Sequence, residues 1–234
     1  MRAPTSFFPQ AAIIPEICHM EKPKKIPTSL YAEMTPNPSA MKFVADRALI
    51  TGGLQVEYRS KSEAKGSSAL AEELFNFPFV TSVFISSNYV TVLKDESLGW
   101  EMIVQQLREY IREWLMDNEV AVSAVPAELV NRTREAASGS ETEAKTPSFD
   151  YSSFEPTEYD DEIRFLLHEY VRPAVESDGG AIDFMAYRDK KVYVQLKGSC
   201  SGCPSSTATL KGGIENLLKA KMPDIVEEVV AEAV

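Results

Sequence analysis

Apolar residues in alternating and helical patterns predict a compact α+β unit between about residues 30 and 118. The run 41–45 and two runs within 80–92 have the composition of β-strands, and a short polar turn between the last two is typical of a hairpin. The serines at 67 and 68 precede a short apolar helix that they are suited to cap. One apolar stripe at helical spacing predicts a long helix over a sheet, with Ile103, Leu107, Tyr110, Ile111 and Trp114 as its members.

A second patterned segment begins near residue 159. Helical spacing between 163 and 174 predicts a helix, which the glycines of the sequence 177–180 end with a left-handed cap. Period-two alternation around a polar turn at 188–191 predicts a β-hairpin with one buried face. A helix with apolar positions from 210 to 218 and a strand over 225–230 complete the order α-β-β-α-β.

Two glycines interrupt the second of these helices. Gly212 and Gly213 each cost about 1 kcal/mol relative to alanine inside a helix. They therefore predict a close backbone approach at this point, by the hairpin or by a partner chain.

The remaining segments are unsuited to a packed core. Residues 136–157 are rich in Ser, Thr, Glu and Pro, so burial there cannot offset the entropy of the chain. Prolines in the first 27 residues prevent a long helix.

The fold class is therefore predicted as α+β, with two small α/β-sandwich-like domains. Its predicted parts are a mobile arm 1–27, a domain 28–118, a flexible linker 119–158 with a short helix within 120–133, and a domain 159–234.

Charge and composition exclude several classes of protein. The 35 acidic and 24 basic residues give a net charge of −11, which argues against nucleic acid as a partner. No apolar run approaches the roughly 20 residues that cross a bilayer, so no membrane association is predicted. Three cysteines are too few for a disulfide scaffold and favour a reducing compartment. The arm lacks secretory and transit-peptide patterns, which favours bacterial cytoplasm over an organellar matrix.

The chemistry of the chain is concentrated in one Cys-x-x-Cys pair, Cys200 and Cys203. It follows the predicted hairpin and precedes Pro204, a residue suited to the first turn of a helix. The helix start favours thiolate, the form that binds metal. A zinc ion or an iron–sulfur cluster takes about four protein ligands, and the pair supplies half of them. If the pair binds metal, two chains share the site, an arrangement that a two-fold symmetric dimer provides.

Three interpretations of the pair stay open on these residues. It is a surface turn without a ligand, a dithiol oxidoreductase site, or half of a zinc or iron–sulfur site. Thioredoxin-like sites also place Cys-x-x-Cys at a helix start, but they follow a βαβ pattern rather than a hairpin. A zinc site would normally be completed within its domain, where the only further candidate is His168 in the middle of a predicted helix.

Short motifs in both domains carry a resemblance to a known family. The second domain resembles the C-terminal domain of the NifU-like (Nfu) iron–sulfur carriers through the runs 171–174, 178–180, 194–206 and 210–214. The first is similar to the Nfu N-terminal domain through the runs 35–38, 41–43, 83–85 and 90–92. The turn 35–38 is interpreted as fixing the entry to a strand, with docking of client proteins as the alternative.

The resemblance implies a carrier and not an enzyme, without catalytic residues. Two chains would hold one [4Fe–4S] cluster through Cys200 and Cys203 of each, with [2Fe–2S] as the alternative cluster, and would form a homodimer on binding it. An upstream assembly scaffold would supply the cluster and apo iron–sulfur proteins would receive it. The Ser- and Gly-rich loop predicts a cluster near the surface, with serine hydroxyls available to its sulfides. A dithiol–disulfide oxidoreductase is the alternative function.

Overall fold

The computed structural model describes residues 25–125, 156–201 and 204–233. Nearly all of the predicted arm and most of the predicted linker lie outside these ranges, as do Cys18 and Cys203. Of the short helix predicted within 120–133, residues 120–125 are irregular instead of helical, and the remainder lies outside the described residues. Within the described ranges, no helix has the length and apolar character needed to span a membrane.

The N-terminal unit is an antiparallel five-stranded sheet with helices on one face. Its strand order is β1-β2-β5-β4-β3. The strands are β1 Leu30–Met34, β2 Ala40–Ala45, β3 Gln55–Tyr58, β4 Val80–Ser86 and β5 Tyr89–Lys94. The helices are α1 Lys61–Ala64, α2 Ala69–Leu74 and α3 Trp100–Asp117. The predicted strands, short helix and long helix are therefore confirmed, whereas β1, β3 and α1 are additional.

Local sequence explains how the two longer helices are held. Ser68 caps α2, because its hydroxyl accepts a hydrogen bond from the Ala71 amide at 3.1 Å. In α3 the buried side chains are Ile103, Leu107, Ile111 and Leu115. Tyr110 and Trp114, which the pattern also assigned to the apolar stripe, pack only partly buried at its border.

The central strands β2 and β5 are buried along their whole length. Side chains on one face, such as Phe43 and Val92, join the core beneath the helices. The opposite face carries Val44, Phe84 and Tyr89, which form a separate apolar cluster with Ala181 of the C-terminal unit. The sheet is therefore covered on both sides, and the second cover is the other half of the chain.

The C-terminal unit has the predicted order α-β-β-α-β. Its first helix comprises α4 Asp160–Leu166, a π-helical turn Leu167–Val171 and α5 Arg172–Ser177. The remaining elements are β6 Gly180–Arg188, β7 Lys191–Gly198, α6 Pro204–Lys221 and β8 Glu228–Ala233. The π-helical turn ends two residues before Pro173, whose missing N–H interrupts the regular hydrogen-bond ladder.

The hairpin and the last strand define the three-stranded sheet β6-β7-β8. Asp189 and Lys190 both have positive φ, as the tight turn between β6 and β7 requires. Strand β8 pairs in parallel with β7 and begins at Glu228, not at the predicted residue 225. The reason is a turn in which the Ile225 and Val226 amides both donate to the Met222 carbonyl.

The predicted close approach at Gly212 and Gly213 is not made by the hairpin. A Cβ atom at either position would have no atom within 4 Å. Both glycines border open space on α6, so the hairpin explanation is wrong for the described part of the chain.

Replacement of Ser68 by alanine should destabilise the protein. The Ser68 hydroxyl also donates to the Ala121 carbonyl at 2.7 Å, so the substitution removes the helix cap and leaves a buried carbonyl without its donor. We expect the free energy of unfolding to fall by about 1–3 kcal/mol, measured by urea denaturation. Ser62→Ala, on exposed helix surface, is the control and should change it by less than about 0.5 kcal/mol. Equal losses in the two variants would contradict this role of Ser68.

Candidate cluster-binding site

The cysteine loop, residues 198–201, lies at the end of β7, before α6. Gly198 has a φ of 62°, and the Ser201 amide donates to its carbonyl at 3.0 Å, which closes a tight turn around Cys200. The hydroxyls of Ser199 and Ser201 donate to the carbonyls of Asp178 and Gly198. In this arrangement the two serine hydroxyls therefore hold the loop backbone. The sequence predicts instead that they are available to the sulfides of a cluster.

Gly180 is required for the position of the Cys200 side chain. A Cβ atom added at Gly180 would lie 2.6 Å from the Cys200 sulfur and 2.7 Å from the Lys197 carbonyl oxygen. Such distances are far below van der Waals contact, so only glycine fits beside the thiol. The glycine pair at 179–180 thus has two roles: Gly179 ends α5 with a φ of 81°, and Gly180 accommodates the cysteine.

Cys200 is buried with only 6% of its surface exposed, and its thiol packs with the core of the C-terminal unit. Burial is the main cause that raises the pKa of this thiol to about 11; the Ser199 hydroxyl partly opposes the shift, and the nearby Asp178 adds to it. In this arrangement the thiol itself faces the interior, while the position of a bound cluster near the surface stays a prediction. The thiolate form, which metal binding needs, is disfavoured at Cys200.

On the side of the N-terminal sheet opposite its helices, a side chain from the turn between β1 and β2 binds the backbone on both sides of Cys200. The Asn37 amide group donates to the Ser199 carbonyl at 3.0 Å and to the Ser201 carbonyl at 3.2 Å. The Asn37 oxygen accepts from the Ser39 amide at 2.9 Å, which orients the side chain within its own turn. One residue of the N-terminal unit therefore fixes both carbonyls that flank the cysteine.

The segment next to the loop, residues 176–180, is bound in the same way. Lys42 donates to the last carbonyls of α5, those of Glu176 and Ser177, where the helix dipole favours a positive charge. Thr91 donates to the Gly179 carbonyl at 2.7 Å, and Tyr89 to the Gly180 carbonyl at 3.2 Å. All of these hydrogen bonds are made to backbone carbonyls, so they depend on the path of the main chain.

Glu57 contributes a hydrogen-bond acceptor to the contact, whereas the side chains above contribute donors. Its carboxylate accepts from the Gly198 amide at 3.3 Å and from the Ser82 hydroxyl at 3.1 Å. Burial raises the pKa of this carboxyl, and the nearby Arg59 and the two hydrogen bonds oppose the shift. A close backbone approach lies beside it, where a Cβ on Gly198 would be 2.9 Å from the Phe84 ring.

The sequence identified Cys200 but missed the residues that cover it. Asn37 lies in the turn 35–38, which was interpreted as fixing the entry to a strand; the contact with the cysteine loop is a further role of that turn. Lys42, Glu57 and Thr91 were not singled out. The available signal was that polar residues occur within otherwise apolar strands whose other face was already assigned to the core.

The described residues contain no group of three or more His, Cys, Asp or Glu side chains arranged to hold a metal ion. His168 lies exposed on the π-helical turn of the first helix of the C-terminal unit. Cys203 immediately precedes Pro204, the first residue of α6, and is outside the described residues.

Comparison with protein families supports both halves of the resemblance. The family described as the NifU-like domain matches residues 163–230, and the one described as the scaffold protein Nfu/NifU N terminal matches residues 30–118. The two matches cover the C-terminal and N-terminal units in turn. The chain belongs to the Nfu family.

Individual relatives agree with this assignment. The chain is 34% identical over 205 residues to the Drosophila willistoni protein named NFU1 iron-sulfur cluster scaffold homolog, mitochondrial, covering 85% of this chain and 63% of that protein. The Drosophila virilis protein of the same name is 33% identical, with 85% and 61% covered. The chain thus spans less than two thirds of the length of these curated relatives. Their names place those proteins in mitochondria and lend no support to the predicted bacterial cytoplasm.

A solved structure also matches part of the chain. The solution structure of a NifU-like protein from Saccharomyces cerevisiae is 24% identical, with 46% of this chain and 93% of that chain covered and a TM-score of 0.36.

Raising the pH should weaken the fold through Cys200. The folded thiol has a pKa of about 11, whereas an exposed cysteine ionises near 8.5. The stability that the neutral, buried thiol contributes is present below the unfolded-state pKa and is lost as the pH rises through the folded-state pKa. We expect a loss of about 2–3 kcal/mol between about pH 8 and pH 11, measured by urea denaturation at a series of pH values. Cys200→Ala should lack this part of the slope, and identical pH profiles for both proteins would refute the assignment.

Proposed function

We propose that this protein carries an iron–sulfur cluster as cargo, held between two chains by Cys200 and Cys203 of each, and delivers it to apo-proteins. The observation that carries the proposal is the placement of the cysteines. Cys200 lies in a tight loop between a hairpin and a helix, and Cys203 is the residue before that helix begins. Family membership and the names of the relatives support the same role.

The number of thiols per chain sets how many chains share one cluster. A [4Fe–4S] cluster is normally held by about four cysteine thiolates, and Cys200 and Cys203 offer two per chain. Two chains together supply the full set, which leads to one cluster per homodimer. The same four thiolates are compatible with [2Fe–2S], so we propose [4Fe–4S] as the main cargo and [2Fe–2S] as the alternative.

The shared site suits a carrier that is not a catalyst. A cluster bound between two chains can be released when the chains separate, because each chain then retains only half of the ligands. The donor of the cluster would be an assembly scaffold, and the acceptors would be apo iron–sulfur proteins that offer further thiolates. The dithiol oxidoreductase is less well supported, because β6 and β7 form an antiparallel hairpin before the pair instead of the βαβ unit of such enzymes.

Single cysteine substitutions test the site. Cys200→Ser and Cys203→Ser should each abolish the bound iron and sulfide, because either change removes two of the four ligands of the dimer. Iron, sulfide and the visible absorption spectrum should be measured after reconstitution without oxygen, together with mass by light scattering. Cys18→Ser, which lies outside the proposed site, is the matched control and should bind as the unsubstituted protein does.

Two results would contradict this arrangement. One is full occupancy by iron and sulfide in a strictly monomeric protein. The other is a colourless protein that reduces disulfides and takes up no iron under any reconstitution condition, which would favour the oxidoreductase.

Delivery to a client should proceed by direct contact. The loaded protein is mixed with an apo enzyme that requires [4Fe–4S], and recovery of the enzyme's activity is followed with and without a chelator attached to a large polymer. We expect the same rate in both cases, because a directly transferred cluster is never free in solution. Complete interception by the polymer would show that the cluster is released first and would contradict delivery by contact.

A further inference from the structure

We infer that the face of the N-terminal sheet opposite its helices is a docking surface for the cysteine loop of its own chain, and that Asn37, in the turn before β2, holds this loop closed with Cys200 turned inward. Loading then requires that the sheet face and the loop separate. The inference goes beyond cluster binding but rests on the proposed function for its role in the carrier.

The first argument is the geometry of Asn37. Its single amide group spans the Ser199 and Ser201 carbonyls, which belong to the peptide groups before Cys200 and after Ser201. The peptide group between them is held by the Ser201 amide, which donates to the Gly198 carbonyl. With these three peptide groups held, the loop backbone keeps the Cys200 side chain turned inward. The sulfur stays between Gly180 and the core of the C-terminal unit.

The second argument is the composition of the contact. The N-terminal unit meets the segments 176–180 and 198–201 mainly through polar side chains: Asn37, Lys42, Glu57, Tyr89 and Thr91. The apolar part is a small cluster around Phe84 and Ala181. Polar contacts between domains are typical of interfaces that form and dissociate, whereas permanent ones are larger and more apolar. The sheet face is therefore suited to release the loop.

The third argument is that the closed arrangement is incompatible with a shared cluster. Two chains can ligate one cluster only if both Cys200 sulfurs are accessible to it, and here this residue is 6% exposed. Asn37 and Glu57 also bind the loop backbone directly, which leaves that side of the loop unavailable to a second chain. Closed and loaded states are thus mutually exclusive, and the N-terminal unit competes with the second copy for the same loop.

The experiment measures the accessibility of Cys200 without any metal. In the full chain carrying Cys18→Ser and Cys203→Ser, Cys200 is the only thiol, and its reaction with iodoacetamide is followed by intact mass at about pH 8. We expect reaction at least about tenfold slower than in the urea-unfolded chain, because the closed loop hides the thiol. Reaction of the folded protein at the unfolded rate would overturn the inference.

The Asn37→Asp variant then tests whether the Asn37 side chain holds the loop closed. The aspartate retains an oxygen for the Ser39 amide but places an acceptor opposite the two loop carbonyls. Losing two hydrogen bonds should raise the reaction rate about tenfold. Asn88→Asp is the matched control, because Asn88 donates only to the Ala45 carbonyl inside the N-terminal unit, and its rate should not change. Equal rates in the two variants would refute the role of Asn37.

A second pair of variants keeps the test decisive if Asn37→Asp fails to fold. Lys42→Met removes the donor to the end of α5, whereas Glu33→Gln removes only the ion pair that Lys42 makes at 3.4 Å within its own sheet. We expect faster alkylation of Cys200 in Lys42→Met but not in Glu33→Gln. The docking surface is refuted if neither variant differs from the unsubstituted protein.

Reconstitution separates this inference from the proposed function. In chains that retain Cys200 and Cys203, Asn37→Asp should take up iron and sulfide several-fold faster than Asn88→Asp. Faster alkylation without faster loading would overturn the claim that the hydrogen bonds of Asn37 control loading. If no variant binds iron and sulfide, the carrier function is wrong, and the alkylation rates alone decide whether the sheet face covers the loop.

Discussion

The arrangement of the molecule depends on the contact between one sheet face and two backbone segments. Lys42 and Thr91 reach the end of α5, while Asn37 and Glu57 reach the cysteine loop. Because these side chains bind peptide groups, the contact requires a particular chain path at 176–180 and 198–201. That path is possible only with glycine at 180 and 198, where a Cβ would meet other atoms at less than 3 Å.

The same glycines link the fold to the chemistry of the thiol. Gly180 allows the Cys200 sulfur to turn inward, and the resulting burial raises the pKa of the thiol to about 11. A neutral, buried thiol is a poor metal ligand and a poor nucleophile. In this arrangement Cys200 is therefore shielded from solvent, and we expect the shielding to end when the loop is released.

The sequence predicted most elements because their signals are local. The alternating residues of β6 and β7, the serine cap at Ser68 and the proline at the start of α6 each involve neighbours along the chain. The cysteine pair and the resemblance to the Nfu family were equally evident from the sequence. The contact between the two units was not, because Asn37 and Ser199 are 162 residues apart and no periodicity relates them. Lys42 and Thr91 looked like ordinary polar positions on a half-exposed sheet.

The two halves of the chain can now be assigned complementary tasks. The C-terminal unit supplies the thiols, and the N-terminal unit, which has no cysteine in residues 28–118, supplies a surface that recognises the backbone around them. A cover attached to the same chain acts at high effective concentration, because the connecting segment keeps the two surfaces near each other. A second chain must compete with that cover. Formation of the dimer should therefore depend on a cluster whose four ligand bonds outweigh the few hydrogen bonds that are lost, so that chains without cargo stay closed.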